Sequence, residues 1–408
     1  MSPTYYFYHS NNKNVKKLIL ILLGCLAFAC ENIIPEPPAV DEILDGPIDG
    51  LNSSEQARFL AGDFAFNDEV FSSGTGLGPT FVATSCGSCH AGDGKGHPFT
   101  TLTRFGQTAP NTPPNLLIGG PQLQNRAIPG YTPEILPEGT PFMKLTPPAV
   151  TGLGLLSALT DEQILTNADP YDLDGDGISG VPNYVNPPAY FVPKWFHQDA
   201  NGRYMGRFGK KAATIDLLQQ TVSAYNQDMG ITSTFEPVDP FSGLEVDQEV
   251  SDQTVRDVVF YLRTLKAPIQ RSQNDQQIIQ GKTLFSQIQC GDCHTPEWTT
   301  PTSDIVALSN KTFFPYTDLL LHDMGPGLDD GVTEGSAETF EWRTPPLWGL
   351  GLSPNSQGGS YFLMHDGRAS SIEEAILLHG GEANSSRTKF ESLSAEDRTA
   401  LIRFLESL

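Results

Sequence analysis

Basic residues are scarce in this chain. Lysine and arginine number 25 against 48 aspartates and glutamates, a formal net charge of −23 over 408 residues. That balance argues against nucleic-acid binding and leaves cationic partners open; a solvated acidic surface accounts for it equally well. Charged residues of either sign make up only 18% of the chain, while glycine (39) and proline (32) are abundant. The composition is that of a globular protein with long connections, not of a disordered one. Long apolar runs are missing too. The run in "KKLILILLGCLAFACEN" (16–32) spans about a dozen residues, too few to cross a bilayer comfortably.

Two lysines, a short apolar core and small residues before a cysteine read as an export signal. The pattern resembles a bacterial lipoprotein signal, with Cys30 as the lipidated residue. Cys25 in "LLGC" is an alternative, as is a plain signal peptide. The expected layout is a signal over 1–29 and a proline-rich extended tether over 30–50. The chain would then sit on the periplasmic side, touching a membrane through a lipid anchor.

Cysteine is also sparse. Beyond Cys25 and Cys30, the four others lie in "CGSCH" (86–90) and "CGDCH" (290–294). Cys-x-x-Cys-His reads as a c-type haem attachment site. The thiols of Cys86 and Cys89, and of Cys290 and Cys293, would bond the vinyl groups of two haems. His90 and His294 would be the proximal iron ligands. None is left for a structural disulfide.

The halves repeat beyond these motifs. "LTPPAVTGLGLL" (145–156) parallels "RTPPLWGLGL" (343–352), and "FGKKAATIDLLQQTV" (208–222) aligns without gaps to "HDGRASSIEEAILLH" (365–379). That alignment pairs Ala212 with Ala369 and Val222 with His379. The first half carries an insertion within about 157–205. Other segments show apolar positions at helical spacing, among them 54–71, 250–265, 274–290 and 394–408. The expected fold is mainly α: two cytochrome c-like domains, 51–268 and 269–408, each with one covalent haem.

Several motifs in one order, "DLDGDGISG", "GRFGKKA", "AYNQDMGITS", "YTDLLLHDMG", "RTPPLWGL" and "HDGRASSIEEAILLHGGEA", resemble the bacterial di-haem peroxidase superfamily. The likeness is nearest to its di-haem oxidoreductase branch, also labelled thiol oxidoreductase. It implies that His379 is the distal ligand of the second haem, opposite His294, where related enzymes use methionine or tyrosine. An imidazole there sets a lower potential than a thioether. The first haem, with Val222 at the matching position, is expected to be open. Asp228 aligns with a distal glutamate able to accept and return a peroxide proton. The distal glutamine role falls to Gln219 or Gln220, since Leu218 stands at its aligned place. Phe208 occupies the position of an inter-haem tryptophan. His97, Met143, Met324 and Met364 are alternative iron ligands. His322 and His365 are expected to bond propionates or backbone.

"DPYDLDGDGISG" (169–180) places Asp172, Asp174 and Asp176 at positions 1, 3 and 5 of an EF-hand-like loop, which suggests calcium. Asn183 replaces the usual glutamate at position 12. The expected function is peroxidase-like: electrons pass from a small donor protein or quinone-linked donor, through the C-terminal haem, to an open N-terminal haem. That haem reduces peroxide or acts on another small substrate. The alternatives are a non-catalytic electron-transfer cytochrome and a haem-bearing accessory subunit of a membrane redox complex.

Overall fold

The computed structural model describes Thr4 and residues 39–112, 120–194 and 196–408. Cys25 and Cys30 lie outside the described residues. Asp41–Leu408 forms one compact unit. Helices dominate it, joined by long irregular segments and by short antiparallel two-stranded pairs. Among the described residues, no helix is long and apolar enough to cross a membrane.

Each half is framed by a helix pair crossing at a glycine. In the first, α1 (Ser53–Asp63) packs against a long helix of the same half, Asp252–Thr264. Asn52 caps α1 by accepting from the Ser54 and Glu55 amides, and Glu55 reciprocates to the Asn52 amide at 2.9 Å. A Cβ on Gly62 would lie 2.1 Å from the Asp257 carbonyl oxygen, so only glycine permits the approach. Two further helices follow: α2 (Leu217–Ser223), and α3, the Asp252–Thr264 partner of α1. In the second half, α4 (Gln276–Gln287) and α6 (Ala395–Ser407) cross in the same way, with α5 (Ile372–Leu377) between them in sequence. A Cβ on Gly281 would meet the Ala400 carbonyl oxygen at 2.1 Å. Tyr261 lies over the first glycine and Phe404 over the second.

The two expected domains, 51–268 and 269–408, lie in one compact unit and share a core. One apolar cluster takes Phe59, Leu156 and Tyr261 from the first half together with Trp298, Leu308 and Leu320 from the second. The insertion strengthens this union. Val181 pairs with Leu321, and the Asn183 side chain bonds the carbonyls of Lys211 and Glu334 and the Ser336 amide. Arg207, buried, pairs with buried Asp161 and donates to the Leu159 carbonyl at 2.7 Å.

The repeat is in register by a different count from the gapless alignment. Phe208 bridges Thr214, and Leu363 bridges Ala369. Positive φ recurs at Gly209 and Met364, and at Ala212 and Gly367. Asp216 caps α2 and Ser371 caps α5, accepting from the Gln219 and Glu374 amides at 2.8 and 3.0 Å. Thr214, not Ala212, therefore matches Ala369. The counterpart of His379 is Ala224, not Val222, which is buried in a separate apolar cluster with Phe71 and Met229.

Candidate haem site

Both Cys-x-x-Cys-His turns open on one cavity of about 600 Å³ with a mostly apolar wall. His90 bonds the Pro148 carbonyl through Nδ1 at 2.9 Å, and His294 bonds the Tyr316 carbonyl through Nδ1 at 3.0 Å. A ring that donates from Nδ1 keeps the Nε2 lone pair for a metal. Burial holds both imidazoles neutral, with pKa values lowered to about 4. His379 is built alike: its Nδ1 bonds the Ala375 carbonyl at 2.7 Å, its ring lines the cavity, and burial lowers its pKa. It is near enough to His294 to depress that ring's pKa further. The thiols are free, and burial raises Cys86 to about 12, Cys89 to about 11 and Cys290 to about 12; Cys293 is raised as well.

α5 ends at Leu377, and His379 follows in the turn before Gly380 and Gly381. Its start departs from a reciprocal capping box, because Glu374 returns its bonds to Ser370 rather than to the Ser371 amide.

Ala224, Asp228, Gln219 and Gln220 also line the cavity, and Asp228 is near enough to Cys86 and Cys89 to raise their pKa values. Asp228 closes a π-turn, Ala224–Asp228, that runs on from α2. Burial raises its pKa to about 7, opposed by Arg104. Gln219 accepts from the Ile215 amide at 2.8 Å and Gln220 from the Thr214 hydroxyl at 2.8 Å. Phe208 lies in the same wall. His97 does not reach the cavity; its ring accepts from the Phe99 amide and packs on Phe99 and Phe362. Met324, Met364 and Met229 line the cavity, and Met143 does not.

Three cations missed in the sequence also line it: buried Arg343 and the half-buried Lys95 and Lys210. None makes an ion pair among the described residues. Burial lowers Lys95 to about 8, Arg343 to about 10 and Lys210 well below its usual range. Lys210 and Lys95 stand in tandem with glycines and a haem motif in sequence, and only the fold turns them onto one wall. Cations without an ion-pair partner on a cavity wall fit the carboxylates of haem propionates. The free Nε2 atoms, the paired thiols and the apolar wall fit the macrocycles.

His322 and His365 bond carboxylates of the chain. His322 lies between Asp318 (2.8 Å) and Glu382 (2.7 Å), with Cys293 Sγ at 3.5 Å. Burial opposes its charge, but the two carboxylates prevail and raise its pKa well above the usual value. His365 bonds Asp330 at 2.9 Å and stacks on Trp342 at 3.7 Å. The acidic loop also differs from the expected set. Carboxylate oxygens of Asp169, Asp172 and Asp174 lie within 4.8 Å of one another, whereas Asp176 is not of that group and accepts from the Ile178 amide. Asn183 faces the core.

Paired Cys-x-x-Cys-His turns on one cavity, with imidazoles held for a metal, define a haem redox protein. The chain belongs to the family described as "Di-haem oxidoreductase, putative peroxidase", which matches residues 143–408 and so leaves the first turn outside the match. No curated protein matches the sequence. Among solved structures, a chain of Kuenenia stuttgartiensis hydrazine synthase pressurized with 20 bar xenon is similar at 12% identity and a TM-score of 0.40, over 93% of this chain and 95% of that one.

Proposed function

We propose that the chain is a peroxide-reducing enzyme with two covalent c-type haems of unequal ligation. What supports this reading above all is an asymmetry between the halves: His379 lines the cavity close to His294, whereas Ala224, at the equivalent place in the first half, has no donor atom. A haem held by Cys86, Cys89 and His90 would supply the redox chemistry for cleaving an oxygen–oxygen bond. Reduction of hydrogen peroxide to two waters takes two electrons and two protons. His294 and His379 hold the electron-entry haem. Asp228, with a pKa near the working range, takes the proton from the bound peroxide and returns it to the leaving oxygen. Gln219 and Gln220 orient the peroxide. Lys95, Lys210 and Arg343 hold propionates.

Electrons come from a small donor protein or a quinone-linked donor. Export and a lipid anchor at Cys30 place the enzyme on the periplasmic side of a membrane. A calcium ion bound by Asp169, Asp172 and Asp174 would relieve their mutual repulsion. A second reading, simple electron relay, has one observation in its favour: the Met229 thioether lines the cavity next to Asp228. Stopped-flow mixing of half-reduced protein with hydrogen peroxide tests the proposal. Rapid spectral change at one haem is expected; spectra that do not change contradict it.

A further inference from the structure

A second cavity, of about 360 Å³, adjoins the haem cavity. Arg104, Ala213, Gln219 and Glu334 line both and form the wall between them. Among the described lining residues, Asn111, Thr112 and Asn186 are exposed. The inner part is buried and largely apolar: Phe105, Met143, Val185 and Val332.

Polar side chains are also present: Gln107, Asn111, Thr112 and Asn186 beside Arg104, Gln219, Thr333 and Glu334. The charged pair, Arg104 and Glu334, neutralises itself across 2.5 Å, and Arg104 also donates to Gln227 Oε1 at 2.9 Å, beside Asp228. Thr333 is 1% exposed and lines the pocket, and its buried hydroxyl has no hydrogen-bond partner among the described residues. A buried hydroxyl left unpaired is destabilising, and a ligand oxygen would relieve it. A water-sized oxidant needs neither the volume nor the apolar lining.

We propose that this pocket binds the organic part of a small neutral hydroperoxide and passes its hydroperoxy end between Arg104 and Gln219 toward Asp228. The inference rests on the open-iron reading above. Two electrons from the external donor and two protons split the oxygen–oxygen bond, giving an alcohol and water.

Ligand binding to the fully reduced, haem-loaded protein tests the geometry without turnover. The probes are carbon monoxide and n-butyl isocyanide. Both bind the wild type. Ala213→Leu, which narrows the passage, lowers the affinity ratio of isocyanide to carbon monoxide about tenfold, as steric crowding by added methyl groups would. Val332→Phe, which fills the pocket, does the same and serves if the first variant does not load haem. Carbon monoxide binding with no isocyanide binding, or a ratio unmoved by both variants, overturns the pocket and leaves the open iron standing. Binding of neither probe overturns both. For the ligand class, Thr333→Val lowers the kcat/KM ratio of tert-butyl hydroperoxide to hydrogen peroxide about fivefold, the loss of one neutral hydrogen bond. An unchanged ratio rejects the hydroperoxide assignment.

Discussion

Ala224 stands eight residues beyond the Asp216 helix cap, and His379 stands eight beyond the Ser371 cap; both line one cavity. One structural position thus carries an imidazole in the second half and a methyl group in the first. The chemistry proposed here follows from that inequality.

Changing the ligand changes the potential. His379→Met replaces a basic imidazole with a thioether, and the midpoint potential of one haem rises while the other stays within error. His379→Ala makes that haem high-spin. Spectroelectrochemical titration reads both effects.

Asp228 gives the peroxide reaction its pH dependence. Its carboxyl must be ionised to accept a proton, and its pKa is raised to about 7. The rate therefore rises as pH passes upward through about 7 and levels off above. Asp228→Asn removes that step and slows the reaction about 10²–10⁴-fold, the usual range for a lost general base. Stopped-flow rates from pH 5 to 9 separate these outcomes.

Buried His322 is charged between Asp318 and Glu382, so its folded-state pKa lies above the unfolded one. Its stabilisation is complete below the unfolded value of about 6.5 and is lost as pH rises through the folded value. His322→Leu leaves two carboxylates facing each other and costs about 3–5 kcal/mol. Denaturant unfolding at pH 6 shows that loss, and the gap between variant and wild type narrows at high pH.

The acidic loop distinguishes two ligand sets. If a cation binds Asp169, Asp172 and Asp174, calcium raises the melting temperature, Asp169→Asn abolishes the rise, and Asp176→Asn largely keeps it. Differential scanning calorimetry with calcium and with a chelator measures this. A rise lost with Asp176→Asn alone would restore the linear EF-hand set.

Much of the site was legible because covalent haem chemistry fixes residue types at fixed spacing. Cys86, Cys89 and His90, and their counterparts at 290–294, meet the cavity as the sequence pattern requires. The helices framing each half were equally plain, since α1, α3, α4 and α6 carry regular apolar spacing. Register was not. A gapless match paired similar letters, Ala212 with Ala369, whereas backbone conformation pairs Ala212 with Gly367, both at positive φ. That two-residue slip put Val222 where Ala224 belongs. Lys95, Lys210 and Arg343 were hidden because they converge from three distant segments. The shared core was hidden for a similar reason: a linker-like run at 266–274 says nothing about which faces of Trp298 and Leu156 meet across it.

The central inequality is tested most directly by electron paramagnetic resonance of the haem-loaded protein, with and without cyanide, in the oxidised and half-reduced states. The account predicts one low-spin centre with two imidazole ligands that ignores cyanide, and one high-spin or water-ligated centre that cyanide converts to low-spin. Two low-spin centres that cyanide leaves unchanged in both states would contradict it.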